Sequence, residues 1–326
     1  MRKSKFLVLL VLFCNPLFGQ VDFMKSDSLR QEALGLLMSK EYRKSAEKYK
    51  ELLKDYEGYI NKSDWYNTAC CYALVGDVEK SFYHLLVLVE KNYKGYNHIT
   101  TDSDLAILHS DKRWNDLISK IKANKEEAEK YYDKPLIAIL DSIREEDQKY
   151  RRQMDEMRKE HGTDSEEWEV LIQNLQEADS LNFLKVSKIL DERGWLGTSV
   201  IGEAGSVTLW LVIQHADQLP EKQRDYLKFL RVAAEKGEAS LSNLAYLEDR
   251  VAKNFGNKQV YGTQITQDSI SGEFYPYPMI DPENVDKRRM KVGVEPMGSY
   301  LEFWGATWDV DKYKKRMAEL DAEKED

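Results

Sequence analysis

The strongest constraint on this chain is a self-similarity at one fixed offset. Ala33, Tyr42, Ser45, Tyr49 and Leu52 recur as Ala69, Val78, Ser81, Leu85 and Leu88, each 36 residues later. A unit of that length cannot bury its apolar face alone, so consecutive copies must stack. Apolar residues inside each copy fall three and four apart, the spacing of one helix face. Each copy is therefore expected to be a helix–turn–helix, with Gly76-Asp77 as the turn of the second.

Within the second copy, Trp65, Ala69, Tyr72, Gly76-Asp77, Ser81, Leu85 and Leu88 are similar to the tetratricopeptide-repeat pattern. A degenerate third element, from Asp102-Ser103-Asp104-Leu105 to Trp114-Asn115-Asp116-Leu117-Ile118, reads as a capping helix pair. The repeat region covers residues 26–122. The resemblance implies binding of a protein or peptide partner, or support of a neighbouring domain. His84, His98 and His109 lack metal-ligand spacing. Cys70 and Cys71 are neighbours in a helical context, so small buried residues are expected there, not a bridge or a metal site.

The N-terminus carries an address. Arg2, Lys3 and Lys5 precede the apolar run Phe6 to Phe13, and Gly19 offers a small residue for cleavage. Residues 1–19 read as a signal peptide, so the protein is expected to be exported, periplasmic or secreted. The run is shorter than the 20 or so apolar residues a bilayer span needs, so no stable membrane insertion is expected after cleavage. Lipidation at Cys14 is disfavoured, because Phe13 stands where a small residue is needed. The chain holds 48 Lys+Arg against 57 Asp+Glu and has no basic block. Phosphate contacts need clustered cations, so nucleic acid is not an expected partner.

A charged connector leads to a second domain at 133–305, and residues 306–326 form a charged tail. Pro135 opens a helix. Its seam is Leu136, Leu140, Ile143, Tyr150, Met154 and Met157, interrupted by Asp147, and it is expected to run to a break at His161-Gly162-Thr163-Asp164. Ser165 caps the next helix, whose seam Trp168, Ile172 and Leu175 continues through Asp179 and Asn182 to Val186 and Ile189. Folding the pair back on itself sets Asp147 against Asp179. Two facing carboxylates cost several kcal/mol unless a cation or donor intervenes. Arg151, one turn from Asp147, is one candidate, and a divalent cation is another. No other cofactor is expected. A buried ion pair that fixes register is the competing reading.

Val207, Leu209, Trp210, Leu211, Val212 and Ile213 make the helix at 206–217 apolar almost all round, hence buried. It ends in Gln214-His215-Ala216-Asp217. The helix from Leu241 to Phe255 has a core face of Leu244, Leu247 and Val251. Tyr246, Asp249 and Arg250 are expected on its opposite face, as a surface ion pair beside a tyrosine. Gln259 to Ile265 and Glu273 to Tyr277 read as two short strands around Ser271-Gly272. The expected fold class is mainly α: a helical repeat domain and a helical C-terminal domain with a small β-hairpin.

The ordered set Gly194-Trp195, Gly202, Trp210, Gln214-His215-Ala216-Asp217, Ala245 to Arg250 and Tyr261-Gly262-Thr263-Gln264 resembles a bacterial family catalogued as domain of unknown function 6624. Pro278, Asp281-Pro282, Arg288-Arg289 and Gly293 extend the likeness, and Asp147, Arg151, Asp179 and Asn182 fit upstream. The resemblance names no reaction. It implies that Asp147, Arg151, Asp179, Asn182, Gln214, His215, Asp217, Tyr246, Asp249 and Arg250 belong to one candidate pocket. No Gly-rich phosphate loop, His-Glu-x-x-His or Gly-x-Ser-x-Gly is present in the sequence. The favoured function is an exported protein-interaction or ligand-binding protein. A hydrolase remains open, with Asp147 and Asp179 as metal ligands or acid and base and with His215 and Asp249 assisting. So does a purely structural scaffold.

Overall fold

The computed structural model describes residues 16–268 and 271–322. The expected signal peptide lies outside them as far as residue 15. The chain divides into two compact units, residues 1–121 and 122–326.

The first unit holds α1 (Pro16–Met38), α2 (Tyr42–Asp55), α3 (Lys62–Leu74), α4 (Val78–Glu90), α5 (Tyr96–Thr101) and the start of α6 (Trp114–Glu129). Successive helices from α1 to α4 pack on one another. The repeat reappears as a repeated bond. Ser45 Oγ donates to the Ala33 carbonyl at 2.7 Å, and Ser81 Oγ to the Ala69 carbonyl at 2.8 Å. In both copies a hydroxyl on the second helix donates to an alanine carbonyl within the first. Tyr49, Leu52, Leu85 and Leu88 are wholly buried at the equivalent core positions. The turn also repeats. Gly76 takes a left-handed φ of 81°, and Lys40, 36 residues earlier, takes 62° without a glycine. Cys70 and Cys71 are buried free thiols.

The second unit holds α7 (Lys134–Arg151), α8 (Met154–His161), α9 (Glu166–Arg193), α10 (Thr198–His215), α11 (Pro220–Glu235) and α12 (Leu241–Asn254). Then come β1 (Ile265–Gln267), β2 (Phe274–Pro276), α13 (Val285–Lys291), α14 (Met297–Phe303) and α15 (Val310–Ala322). Helix α10 is central and packs on α7, α9, α11 and α12. Leu140, Leu209, Ile213, Val186 and Leu247 are buried in the resulting core. Strands β1 and β2 are antiparallel, with Thr266 opposite Tyr275. The fold is thus mainly α with one small hairpin. No helix among the described residues is long and apolar enough to cross a membrane.

Three details differ from the sequence-based expectation. The first helix of the second unit breaks at Arg152-Gln153, ahead of His161. Gln153 Nε2 donates to the Lys149 carbonyl, the acceptor its own backbone N–H would take in a continuing helix. That N–H turns to Tyr150 instead. Helix α10 begins at Thr198, with a kink at Gly202, where φ is 69° and ψ is 173°. That region is essentially closed to side chains, and a Cβ there would also sit 3.2 Å from the Tyr132 ring. Residues 259–264 are a loop and not a strand. The charged tail forms α15, which buries Tyr313; the Tyr313 hydroxyl accepts from the Met279 N–H at 2.9 Å and donates to the Tyr277 carbonyl at 3.1 Å.

Candidate functional site

Helices α7, α9 and α10 bring four ionisable side chains together. Asp147 is 1% exposed and ends the buried seam of α7 after Leu136, Leu140 and Ile143. Its Oδ1 lies 2.9 Å from His215 Nδ1 at the end of α10. Its Oδ2 accepts from Gln148 Nε2 at 2.7 Å. Arg151, one turn on, lies 3.5 Å from Asp147 Oδ1 and donates to the Asp147 carbonyl. The same guanidinium grips Asp179 of α9 with two bonds, at 2.9 and 2.8 Å. Such paired, parallel donation fixes geometry as well as charge.

The electrostatics follow from burial and company. Desolvation pushes the Asp147 carboxyl up, but the His215 bond, His215 and Arg151 charges and the Gln148 bond together hold it below its ordinary value. A carboxylate can only accept, so the hydrogen of the contact sits on His215 Nδ1. In the neutral form of the ring the lone pair is then on Nε2, on the side of the ring away from Asp147. Side chains of Arg151, Asp179 and His215 remain 18%, 20% and 18% exposed, so the network opens to solvent. One ligand atom each from Asp147, Asp179 and His215 lie within 4.8 Å of one another. That donor set suits a divalent cation. Arg151 already supplies positive charge to both carboxylates, which is the role a metal would take.

Asn182 bonds to none of the four side chains of this quartet. It is 1% exposed and reaches the Ile143 carbonyl from α9 at 3.5 Å. Gln214, beside His215, is 5% exposed, and its Oε1 has no partner among the described residues. The backbone carbonyls of Ile213 and Gln214 are closed by Gln223 Nε2 at 3.0 and 3.2 Å.

The remaining candidates lie elsewhere. Asp217 forms a rim with α12, accepting from Arg250 at 3.0 Å and from Asn254 at 3.1 Å. Tyr246 packs edge-on against Trp210 and Tyr300, with ring centroids 6.2 and 6.3 Å apart. Buried polar atoms without a partner among the described residues line this α10–α12 seam too: Trp210 Nε1 and Arg250 Nε. Asp249 corrects the expectation of a surface ion pair with Arg250. It is 0% exposed and faces away from the quartet into the loop at 259–264. Its carboxylate accepts the N–H groups of Val260 at 2.7 Å, Tyr261 at 3.1 Å and Thr263 at 2.9 Å, plus the Thr263 hydroxyl at 3.0 Å. Burial pushes its carboxyl up, against the pull of those donors.

The same loop is held from its other side by residues to which the sequence assigned no role. Arg288 donates to the carbonyls of Val260, Asp281 and Ile280. Arg289, wholly buried, donates to those of Tyr261 and Glu295. Gln259, also wholly buried, spans Gln264, taking its N–H at 2.8 Å and giving to its carbonyl at 3.1 Å. A Gln-x-Tyr-Gly-Thr-Gln run at 259–264 and two adjacent arginines at 288–289 were the only sequence signals for this clasp. The candidate residues therefore divide among an ionisable quartet open to solvent, a closed clasp around Asp249, and the Asp217–Arg250 rim and Tyr246 aromatic seam between α10 and α12.

No curated protein and no solved structure matches the chain. A family of unknown function, DUF6624, matches residues 135–312, more than half of the sequence. That span holds the quartet and the clasp, and the chain belongs to the family of unknown function DUF6624.

Proposed function

We propose that the protein is an exported recognition protein. Its helical repeats hold a protein or peptide, and its second unit binds a small polar ligand at Asp147, Arg151, Asp179 and His215. The observation that carries the second half is the partial exposure of three of these four groups around a buried carboxylate. A pair that only fixed packing would gain nothing from remaining wet, whereas a binding site must exchange ligand for water. Export rests on the basic-apolar N-terminus, and the intact mass of protein recovered from the periplasm or medium tests it. Cleavage near Gly19 is expected; retention of Met1 would defeat it.

Hydrolysis is the second reading, favoured by the His215–Asp147 contact at 2.9 Å. A carboxylate on Nδ1 fixes the tautomer and leaves Nε2 to move a proton to or from a bound ligand or water. Thermal shift with panels of polar metabolites and divalent cations separates the outcomes, since a ligand that prefers the native state raises Tm. A compound that stabilises the wild type and not Asp179→Asn supports the site. Equal stabilisation of both proteins removes it. Turnover of a binding compound that disappears in His215→Gln, with binding retained, establishes the hydrolase.

A further inference from the structure

Helices α2 and α4, the second helices of the two repeat copies, enclose a groove of about 530 Å³ with the end of α3. That lies within the range of ligand sites, roughly 300–1,000 Å³. Three observations show what it fits.

The first is an unmatched polar atom. His84 is 8% exposed, lines the groove, and its Nδ1 has no partner among the described residues. Its ring stacks on Tyr72 at 5.5 Å and meets Tyr83 edge-on at 5.1 Å, so its orientation is set by packing. Burial, aided by Lys80, lowers its pKa to about 4, so the ring is neutral near pH 7 and offers a hydrogen bond and no charge. Leaving such an atom unpaired costs roughly 1–3 kcal/mol.

The second is charge. Arg43, Lys50 and Lys80 line the groove against Glu47 and Asp77. Asp77 is taken by Lys80 at 2.6 Å. Arg43 and Lys50 have no ion-pair partner among the described residues. In a chain of net charge −9, this groove is therefore locally cationic.

The third is shape. The groove is several times larger than a phosphate needs, and Tyr83, 60% exposed, presents an aromatic face beside it. An extended segment with acidic and apolar side chains uses all three features; a small anion uses only one.

We infer that this groove binds an acidic peptide segment, with carboxylates on Arg43 and Lys50, a main-chain group on His84 and an apolar side chain on Tyr83. The inference rests on the reading that the repeats recruit a peptide, and it locates that peptide on the face made by the second helices.

Fluorescence anisotropy on the full chain tests it with three labelled hexapeptides, rich in Glu and Leu, in Lys and Leu, and in Gly and Ser. A library of mixed composition is run beside them. The Glu/Leu peptide is expected to bind best and to weaken as salt rises. Arg43→Glu with Lys50→Glu, both exposed positions, should weaken it at least tenfold while circular dichroism stays unchanged. Tyr83→Ala should weaken it independently. Equal affinity for the Glu/Leu and Lys/Leu peptides overturns the inference, as does Glu/Leu binding indifferent to the double reversal. Binding of another library peptide that ignores the reversal overturns the inference alone. Failure of every peptide overturns both it and the recruitment reading. Displacement of the Glu/Leu peptide by millimolar inorganic phosphate reassigns the groove to a small anion and overturns the peptide.

Discussion

His215 Nδ1 stands 2.9 Å from Asp147 Oδ1, although 68 residues separate them in the chain. The contact ties the end of the buried helix α10 to the last turns of α7, and Arg151 extends it to α9 through Asp179. One carboxylate thus coordinates three helices.

Replacing it should be costly. Asp147→Asn keeps the volume but leaves Arg151 and His215 without the buried charge they face. Breaking a buried pair by removing one partner typically costs about 3–5 kcal/mol, and the partial exposure here places the expected loss near 2–4 kcal/mol. Asp179→Asn, at a wetter position, should lose only about 1 kcal/mol. Urea unfolding of the two variants checks the ranking.

Acid should act in an ordered way. The native pKa of Asp147 is held below the ordinary value, so on acidification the unfolded chain takes up this proton first. The stability it confers is whole at neutral pH, begins to fall near the usual carboxylate pKa of about 4, and is gone below its own lower pKa. The stability gap between wild type and Asp147→Asn should therefore hold from pH 7 to 5 and close below about 4. His84 behaves differently, because its native pKa is lowered to about 4 by burial and Lys80. Unfolded imidazole protonates first, so stability is lost as pH falls from about 6.5 towards 4, by roughly 2 kcal/mol after allowance for screening. His84→Phe should flatten that segment of the pH profile.

The clasp predicts the largest effect. Asp249→Ala strands three N–H groups, that of Thr263 buried and those of Val260 and Tyr261 half-buried, and each unsatisfied buried group costs about 1–3 kcal/mol. A loss of at least 4 kcal/mol, or failure to fold, is expected. Arg289→Met should also destabilise, by about 2 kcal/mol, since carbonyls tolerate a missing donor better than N–H groups tolerate a missing acceptor. Hydrogen exchange at residues 260–263 is the more specific readout and should accelerate in both.

A gain is available at Lys40. Its φ of 62° matches the turn that Gly76 makes in the next copy. A left-handed conformation costs a non-glycine residue about 1 kcal/mol, partly offset by the greater freedom glycine has when unfolded. Lys40→Gly should raise stability by about 0.5 kcal/mol, measurable as a small shift in the urea midpoint.

Helix periodicity made most of the fold legible, because apolar spacing reports directly on which face is buried. The Asp147–Asp179 approach was legible for the same reason: a polar residue in an otherwise apolar seam must meet something. The break at Gln153 was not, since it depends on a side-chain amide competing for one carbonyl. Asp249 was misplaced by helix geometry. Its face is polar by residue type, yet the loop at 259–264 covers it, and no local pattern announces that a carboxylate will be roofed by main-chain N–H groups 11 to 14 residues later. Sequence joined Asp249 to the quartet because both belong to one family pattern, and a shared pattern does not imply a shared place.

The clasp also determines where this domain can change. In a β-rich protein, backbone groups of a segment like 259–264 are answered by a neighbouring strand, and altering either partner shifts the register of both. Here the ends of the segment, Gln259 and Gln264, pair with the backbone of 277–280, and the groups between them are answered by side chains: the Asp249 carboxylate, the adjacent Arg288 and Arg289 guanidiniums of α13 and the Tyr300 hydroxyl. The hairpin that follows is fastened separately, by Lys312 and Arg316 of α15, which both donate to Glu273. Loop and hairpin are thus held by different side chains, and a change at Lys312 or Arg316 can loosen the hairpin while the backbone of 259–264 keeps its own supports.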